Sequence, residues 1–152
     1  MKIRKILAVC LALLLTAACG EKKAELPEPD VLYEEIRSAA ALPAMSNVAE
    51  YMLQPDTGIA PDEYNSAVYY IPDAGIAPEQ IIIVQAKDAA GAAKIEEKLH
   101  AWLEYQEEGS QTYMTENMPL FQAGVVRRDG LTVSLIVSAQ AEEIETVYRN
   151  YK

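Results

Sequence analysis

The stretch GVVRRDGLTVSLIVS, residues 124–138, predicts a β-hairpin, because two runs rich in β-branched residues flank an Asp-Gly pair. An Asp-Gly pair favours a type I′ turn, with Asp129 and Gly130 as its two central residues. Pairing outward from that turn places Arg128 opposite Leu131. The apolar residues of the second strand then alternate onto one face, so the expected register and the expected burial agree.

The segments before and after this hairpin predict one α+β domain. The run IIIVQAK, residues 81–87, is short and apolar, which is typical of a central strand. The clearest helix covers residues 89–109, with Asp88 as its cap and Gly109 at its end. Further predicted elements are helices at 31–41 and 140–151, a strand at 64–71 and a short helix from Ser46 in an ambiguous segment. We expect a roughly four-stranded, mainly antiparallel sheet with helices packed largely on one face.

The first 18 residues have the composition of a secretory signal peptide. Three basic residues within the first five form a charged start, and an apolar run of about 13 residues follows. A membrane-spanning helix needs roughly 20 apolar residues, so this run is short for a permanent span. Two alanines stand directly before Cys19, in a pattern that resembles the lipobox of bacterial lipoproteins. We therefore predict a lipoprotein signal peptide over residues 1–18.

Cys19 is the predicted site of lipid attachment, because the lipobox resemblance implies a diacylglycerol on its thiol. Residues 19–29 then form the lipidated cysteine and a flexible tether, and residues 30–152 form one extracytoplasmic domain. The predicted location is the extracytoplasmic face of the cell membrane, with the membrane as the first partner. Cys10 leaves with the signal peptide, so the mature domain has no thiol for a disulfide or for cysteine catalysis.

The acidic composition argues against nucleic acid as a partner. The chain has 13 basic and 23 acidic residues and a formal net charge of −10. Cleavage before Cys19 removes three basic and no acidic residues, which lowers the net charge from −10 to −13. A nucleic-acid-binding surface needs basic residues to neutralise phosphates, and no basic cluster occurs after the signal peptide.

Four segments resemble, in order and spacing, a family of small lipoproteins of Gram-positive bacteria, known as domain of unknown function 4358. These segments are GIAPEQIIIVQAKD (75–88), KIEEKLHAWLEYQ (94–106), TYMTENMPLFQAGVV (112–126) and GLTVSLIVS (130–138). The resemblance extends over roughly residues 30–152. It implies a lipobox and a short linker before the domain, and it implies no activity and no site residues.

The residues that could carry chemistry are few. His100 is the only histidine, and Glu96 and Glu104 lie four residues to either side of it on the predicted helix. That strip is either a metal or acid–base site or a solvated helix face. The second reading is favoured, because three ligands on one exposed helix lack a cavity and supporting groups. With one histidine and no thiol, we expect no catalytic residues, no metal and no cofactor.

Two acidic segments, PDTGIAPD (55–62) and PDAGIAPE (72–79), form an internal repeat whose copies start 17 residues apart. One hypothesis is a shared cation site held by Asp56, Asp62, Asp73 and Glu79. The other is a turn that leads into a strand, used twice, with Gly58 and Gly75 at φ > 0. The second is favoured, since the spacing of oxygens does not fit a calcium loop. Only parallel strands would bring both copies to the same end of the sheet.

Tyrosines and arginines also have two interpretations each. Tyr69 and Tyr70 are neighbours on a strand and face opposite sides, so one ring is either a platform for a glycan or protein, or packs at the rim of the core. Core packing is the favoured interpretation. Arg127 and Arg128 either recognise a carboxylate or keep an edge strand soluble, and the second role is favoured.

These observations predict a non-catalytic accessory or interaction domain at the cell envelope, which is therefore not an enzyme. In addition to the membrane, the expected partner is an envelope protein or the cell wall. Two alternatives stay open. One is a module that binds a small ligand or a cation through the acidic loops, and the other is a carboxylate-dependent hydrolase of envelope polymers.

Overall fold

The computed structural model describes residues 25–74 and 78–151. The signal peptide predicted over residues 1–18 and the predicted lipid-attachment residue Cys19 lie outside these ranges. The elements are α1 (Pro29–Ala39), β1 (Met45–Asn47), α2 (Ala49–Thr57), β2 (Tyr64–Pro72), β3 (Gln80–Ala86), α3 (Ala89–Tyr113), α4 (Met118–Gln122), β4 (Val125–Asp129), β5 (Thr132–Val137) and α5 (Ala141–Arg149). None of these helices has the length and apolar character that crossing a membrane requires.

The five strands form one antiparallel sheet in the order β1-β2-β3-β5-β4. The prediction of one α+β domain is confirmed, and the sheet has one strand more than expected. The additional strand is β1, which pairs Ser46 with Ile71. Three residues are too few to show strand alternation in a sequence. The strand is held by its pairing and by Asn47, whose Oδ1 accepts hydrogen bonds from the backbone N–H groups of Ala49 and Tyr69.

Helices cover both faces of the sheet, where the sequence predicted them largely on one. α2, α3 and α4 pack on the face that carries Ile82 and Val84, and α1 and α5 pack on the face that carries Ile81 and Ile83. β3 is therefore buried on both sides, which explains its unbroken apolar run. The order of elements along a chain does not specify which face each helix covers. On the α1–α5 face the core includes Leu26, N-terminal of the predicted start of the domain.

The β4–β5 hairpin forms as predicted, with a different turn. Asp129 pairs with Thr132, so Gly130 and Leu131 are the central residues, and the register is shifted by two relative to the expectation. Gly130 has φ +63°, and no non-glycine residue in the described ranges has a positive φ. A positive φ at the first central residue alone is typical of a type II′ turn, not the expected type I′. A shift of two residues keeps every side chain on its expected face.

α3 begins as predicted and ends later than predicted. The Asp88 carboxylate accepts a hydrogen bond from the Gly91 N–H at 2.7 Å, which confirms it as the cap. The helix then passes through Gly109 and continues to Tyr113. The buried Ser110 supports this extension, since its hydroxyl donates to the Glu107 carbonyl oxygen at 2.8 Å. The extension adds one helical turn to the C-terminal end of α3.

Candidate functional site: an aromatic groove

A groove with a cavity volume of about 750 Å³ lies between the β2–β3 end of the sheet, the C-terminal part of α3, and α4. We call it the aromatic groove. It is defined by the side chains of Tyr69, Gln80, Tyr105, Gln106, Tyr113 and Phe121. Its volume lies within the range of roughly 300–1,000 Å³ that is typical of ligand pockets. The groove is therefore large enough to hold a ligand or a segment of a partner.

The rim of the groove is apolar and exposed. Six large hydrophobic side chains are exposed within the described residues, and three of them line this groove. They are Tyr105 at 67% exposure, Tyr113 at 85% and Met114 at 38%. Exposed apolar side chains that are concentrated around one cavity are typical of binding surfaces, whereas isolated ones need no explanation.

The floor of the groove is a hydrogen-bonded polar network around Gln80, which is 2% exposed. Its Oε1 accepts from the indole N–H of Trp102 at 3.1 Å, and its Nε2 donates to Gln106. The Tyr69 hydroxyl lies 3.5 Å from Gln80 Oε1 and donates to Asp56 Oδ2 at 3.0 Å. No buried side-chain polar atom within the described ranges lacks a partner. A satisfied network of this kind fixes the rotamers of its members, so the floor of the groove is rigid.

The ionisation of the network follows from its burial. Burial raises the pKa of the Asp56 carboxyl, and the hydrogen bond from Tyr69 opposes that rise. Burial, and next the charge of Asp56, raise the pKa of the Tyr69 hydroxyl. Tyr69 therefore stays protonated at neutral pH and acts as a donor. Asp56 is already engaged by this hydroxyl and lines a neighbouring cavity instead of the groove.

The strip around His100 lies on the outer face of α3. His100 is exposed on α3, and Glu96 forms an ion pair with Arg128, with 3.0 Å between Oε2 and Nε. Across residues 25–74 and 78–151, no three His, Cys, Asp or Glu side chains come together in a way that could hold a metal ion. Glu104 is exposed as well, and Glu96 connects this face of the helix to β4.

The two copies of the acidic repeat adopt different structures. Gly58 ends α2 in the left-handed conformation with φ +73°, as predicted for a turn, and Pro55 lies inside that helix. The second copy begins inside β2 at Pro72, and Gly75 lies outside the described residues. β2 and β3 are antiparallel, so the parallel arrangement that a shared site needs does not occur. Asp73 instead accepts a hydrogen bond from the Ser46 hydroxyl at 2.5 Å.

Tyr69 and Tyr70 lie on opposite faces of the sheet, as predicted. Tyr69 is buried and belongs to the floor of the aromatic groove, while Tyr70 stacks on Tyr33 of α1 with an interplanar angle of 4°. Neither ring is an exposed platform. The exposed tyrosines near a cavity are Tyr105 and Tyr113, which sequence reasoning missed.

The sequence prediction ends the helix at Gly109, so it does not include the groove. Tyr113 and Met114 then belong to a segment of uncertain structure. The sequence does contain one signal for the groove. Tyr105 and Tyr113 are eight residues apart, close to two helical turns, so a continuous helix places both on one side. The contribution of β2 and β3 to the other wall could not be read from that spacing.

The fold and the groove define a small α+β domain, with a five-stranded antiparallel sheet between two helical layers and a groove at one end. The chain belongs to the family described as a domain of unknown function (DUF4358), whose model matches residues 38–138. The match includes every residue that defines the aromatic groove. No curated protein and no solved structure matches the chain.

Proposed function

We propose that this chain is a lipoprotein, anchored through Cys19 to the extracytoplasmic face of the membrane, and that its domain is a non-catalytic interaction module. The partner is an envelope component that binds in the aromatic groove. One observation carries the proposal: exposed Tyr105, Tyr113 and Met114 surround a cavity with a buried, hydrogen-bonded polar floor. Exposure of these side chains to water contributes nothing to the stability of the monomer. Their burial against a partner would contribute favourable free energy to binding.

The side chains around the groove support binding over catalysis. The only histidine of the chain, His100, is not among the residues that line the groove. Asp56, whose pKa is raised, is hydrogen-bonded to Tyr69 and lines the neighbouring cavity. Two acids, Glu79 and Glu108, line the groove, and within the described residues neither is hydrogen-bonded to a second acid, a histidine or a hydroxyl nucleophile, as a hydrolase would arrange them. The amide, phenol and apolar groups here are suited to holding a partner.

The anchoring part of the proposal rests on the lipobox-like sequence before Cys19 and is tested by metabolic labelling. Cells that express the chain are fed an alkyne fatty acid, and the purified protein is probed for the label. We expect label on the unaltered chain and none on Cys19→Ser. A chain with Cys19 intact and no label would contradict anchoring through this residue.

The binding part is tested by crosslinking on intact cells followed by purification. A Tyr105→Ala/Tyr113→Ala variant is compared with Tyr51→Ala, because Tyr51 is 63% exposed and does not line the groove. We expect the crosslinked complex with the unaltered chain and with Tyr51→Ala, and its loss in the groove variant. Recovery of the unaltered chain alone, or equal complexes from all three, would count against the groove.

A further inference from the structure

We infer that the aromatic groove binds a basic peptide segment of the partner, in which a lysine or arginine side chain is flanked by apolar residues. The inference rests on the proposed function, because it accepts the groove as the binding site and adds the chemistry of what binds there. Three properties of the groove favour such a segment: its charge, its aromatic rim and its length.

The charge of the groove is negative. Glu79 and Glu108 line it, and no lysine or arginine is among its described lining residues. Neither carboxylate takes part in an ion pair within the described part of the chain. Lys98 lines the neighbouring cavity and is held by Glu63, with Nζ 2.6 Å from Oε2. Two unpaired carboxylates beside an apolar cavity favour a cationic ligand and repel an anionic one.

The aromatic rim suits the same ligand. Tyr105 and Tyr113 expose their rings, and the face of an aromatic ring attracts an ammonium or guanidinium group. The molecule already contains this interaction elsewhere, with the Arg127 guanidinium 3.9 Å above the ring of Tyr148. The methylene stem of a lysine or arginine can pack on Met114 while its charged end reaches a carboxylate. A neutral ligand would gain no attraction from the two carboxylates.

The length of the groove favours a peptide over a small amine. Tyr105 and Tyr113 are separated by eight residues of α3, which is about 12 Å along a helix at about 1.5 Å per residue. An extended peptide covers about 12 Å with three to four residues, at roughly 3.3 Å each. A segment of that size can place one basic side chain between the rings and apolar neighbours on either side.

The test measures binding of labelled hexapeptides to the purified full-length chain by fluorescence anisotropy. One probe alternates lysine with leucine, the second alternates glutamate with leucine, and the third alternates lysine with serine. We expect binding of the first probe, none of the second, and at least about tenfold weaker binding of the third, because it lacks apolar neighbours. The affinity for the first probe should fall as salt is raised from about 0.05 M to 0.5 M.

Two double variants separate the groove from the overall acidity of the chain. Glu79→Gln/Glu108→Gln neutralises the groove, and Glu97→Gln/Glu142→Gln removes the same charge from residues that do not line it. We expect the groove variant to bind the lysine–leucine probe about tenfold more weakly, and the control variant to bind it as the unaltered chain does. Equal losses in both variants would overturn the inference, since the attraction would then be nonspecific.

Failure of the inference and failure of the proposed function give different results. If the glutamate–leucine probe binds as well as the lysine–leucine probe, and Tyr113→Ala weakens both, the groove binds peptides but the inferred charge preference is wrong. If Tyr113→Ala changes the binding of neither probe, and the crosslinked complex on cells survives in the groove variant, the groove is not the binding site and both proposals fall.

Discussion

At the residue scale, the adjacent arginines Arg127 and Arg128 show how one pattern in a sequence can have two structural roles. They point to opposite faces of β4, an edge strand of the sheet. Arg127 contacts Asp129, Glu145 of α5 and the ring of Tyr148. Arg128 pairs with Glu96 of α3. The edge strand is therefore tied to a helix on each face, a role that sequence reasoning could not assign because both partners are distant in the chain.

The two arginines should differ in their contribution to stability. Arg127→Ala removes a side chain that is 13% exposed and leaves the carboxylate of Asp129 unpaired, so we expect a loss of about 2 kcal/mol in the free energy of unfolding. Arg128 is 40% exposed, and Arg128→Ala should cost less than about 1 kcal/mol. Urea denaturation of the two variants measures the difference. Equal losses would show that burial does not make the ion pairs of Arg127 more stabilising than that of Arg128.

A buried hydroxyl pair offers a second test at this scale. The Tyr148 hydroxyl donates to Ser134 Oγ at 2.8 Å, inside the core between the sheet and α5. Tyr148→Phe leaves the Ser134 hydroxyl buried without this partner, and we expect a loss of about 1–2 kcal/mol in unfolding free energy. Tyr148→Phe/Ser134→Ala should lose less than the sum of the two single variants. Strict additivity in this cycle would show that the hydroxyls do not interact.

At the scale of elements, α3 shows which features of a helix a sequence specifies. Its apolar stripe and its Asp88 cap can both be predicted from the sequence, because they depend on the spacing of nearby residues. The position where α3 ends could not be predicted, since a glycine ends a helix only where the backbone adopts the left-handed conformation. Gly58 has that conformation at the end of α2, while Gly109 continues the helix. The groove exists because α3 does not stop at Gly109.

Alanine at these two glycines should have opposite effects. Gly58→Ala forces a side chain into φ +73°, and we expect a loss of about 1 kcal/mol although the space around it is open. Gly109→Ala adds a better helix former in open space, and we expect a gain of about 0.5–1 kcal/mol. Thermal unfolding of both variants measures whether each change in stability is a loss or a gain. A destabilised Gly109→Ala variant would contradict a continuous helix through that position.

At the scale of the whole molecule, the sequence predicted the class of fold but not its layering. The class followed from one strong hairpin, one fully apolar strand and one amphipathic helix. The second helical layer depends on α1 and α5, which come from opposite ends of the chain and meet on one face. No local sequence pattern specifies the contact between α1 and α5. The groove likewise depends on long-range placement, since the β2–β3 end of the sheet meets the last turns of α3 there.

The face covered by α1 and α5 gives the whole molecule an expected sensitivity to alkali. Burial raises the pKa of Tyr33 and of Tyr148 to about 12, from an ordinary value of 10. In the unfolded chain these hydroxyls ionise near 10, so the stability they contribute is complete below pH 10 and is lost as the pH rises towards about 12. The urea concentration at the midpoint of unfolding should decrease between pH 9 and pH 12. The decrease should be smaller in the variant Tyr33→Phe/Tyr148→Phe. An unchanged slope in the variant would exclude these two tyrosines as its cause.

We propose that the aromatic groove is where a membrane-anchored domain binds its envelope partner. The most direct measurement places a benzophenone photo-crosslinking amino acid at position 113 or at position 51 of the chain expressed in living cells. Tyr113 is on the groove, and Tyr51 is similarly exposed but does not line it. After irradiation we expect a discrete higher-mass adduct from position 113 and none from position 51. No adduct at position 113, or the same adduct at both positions, would contradict binding in the groove.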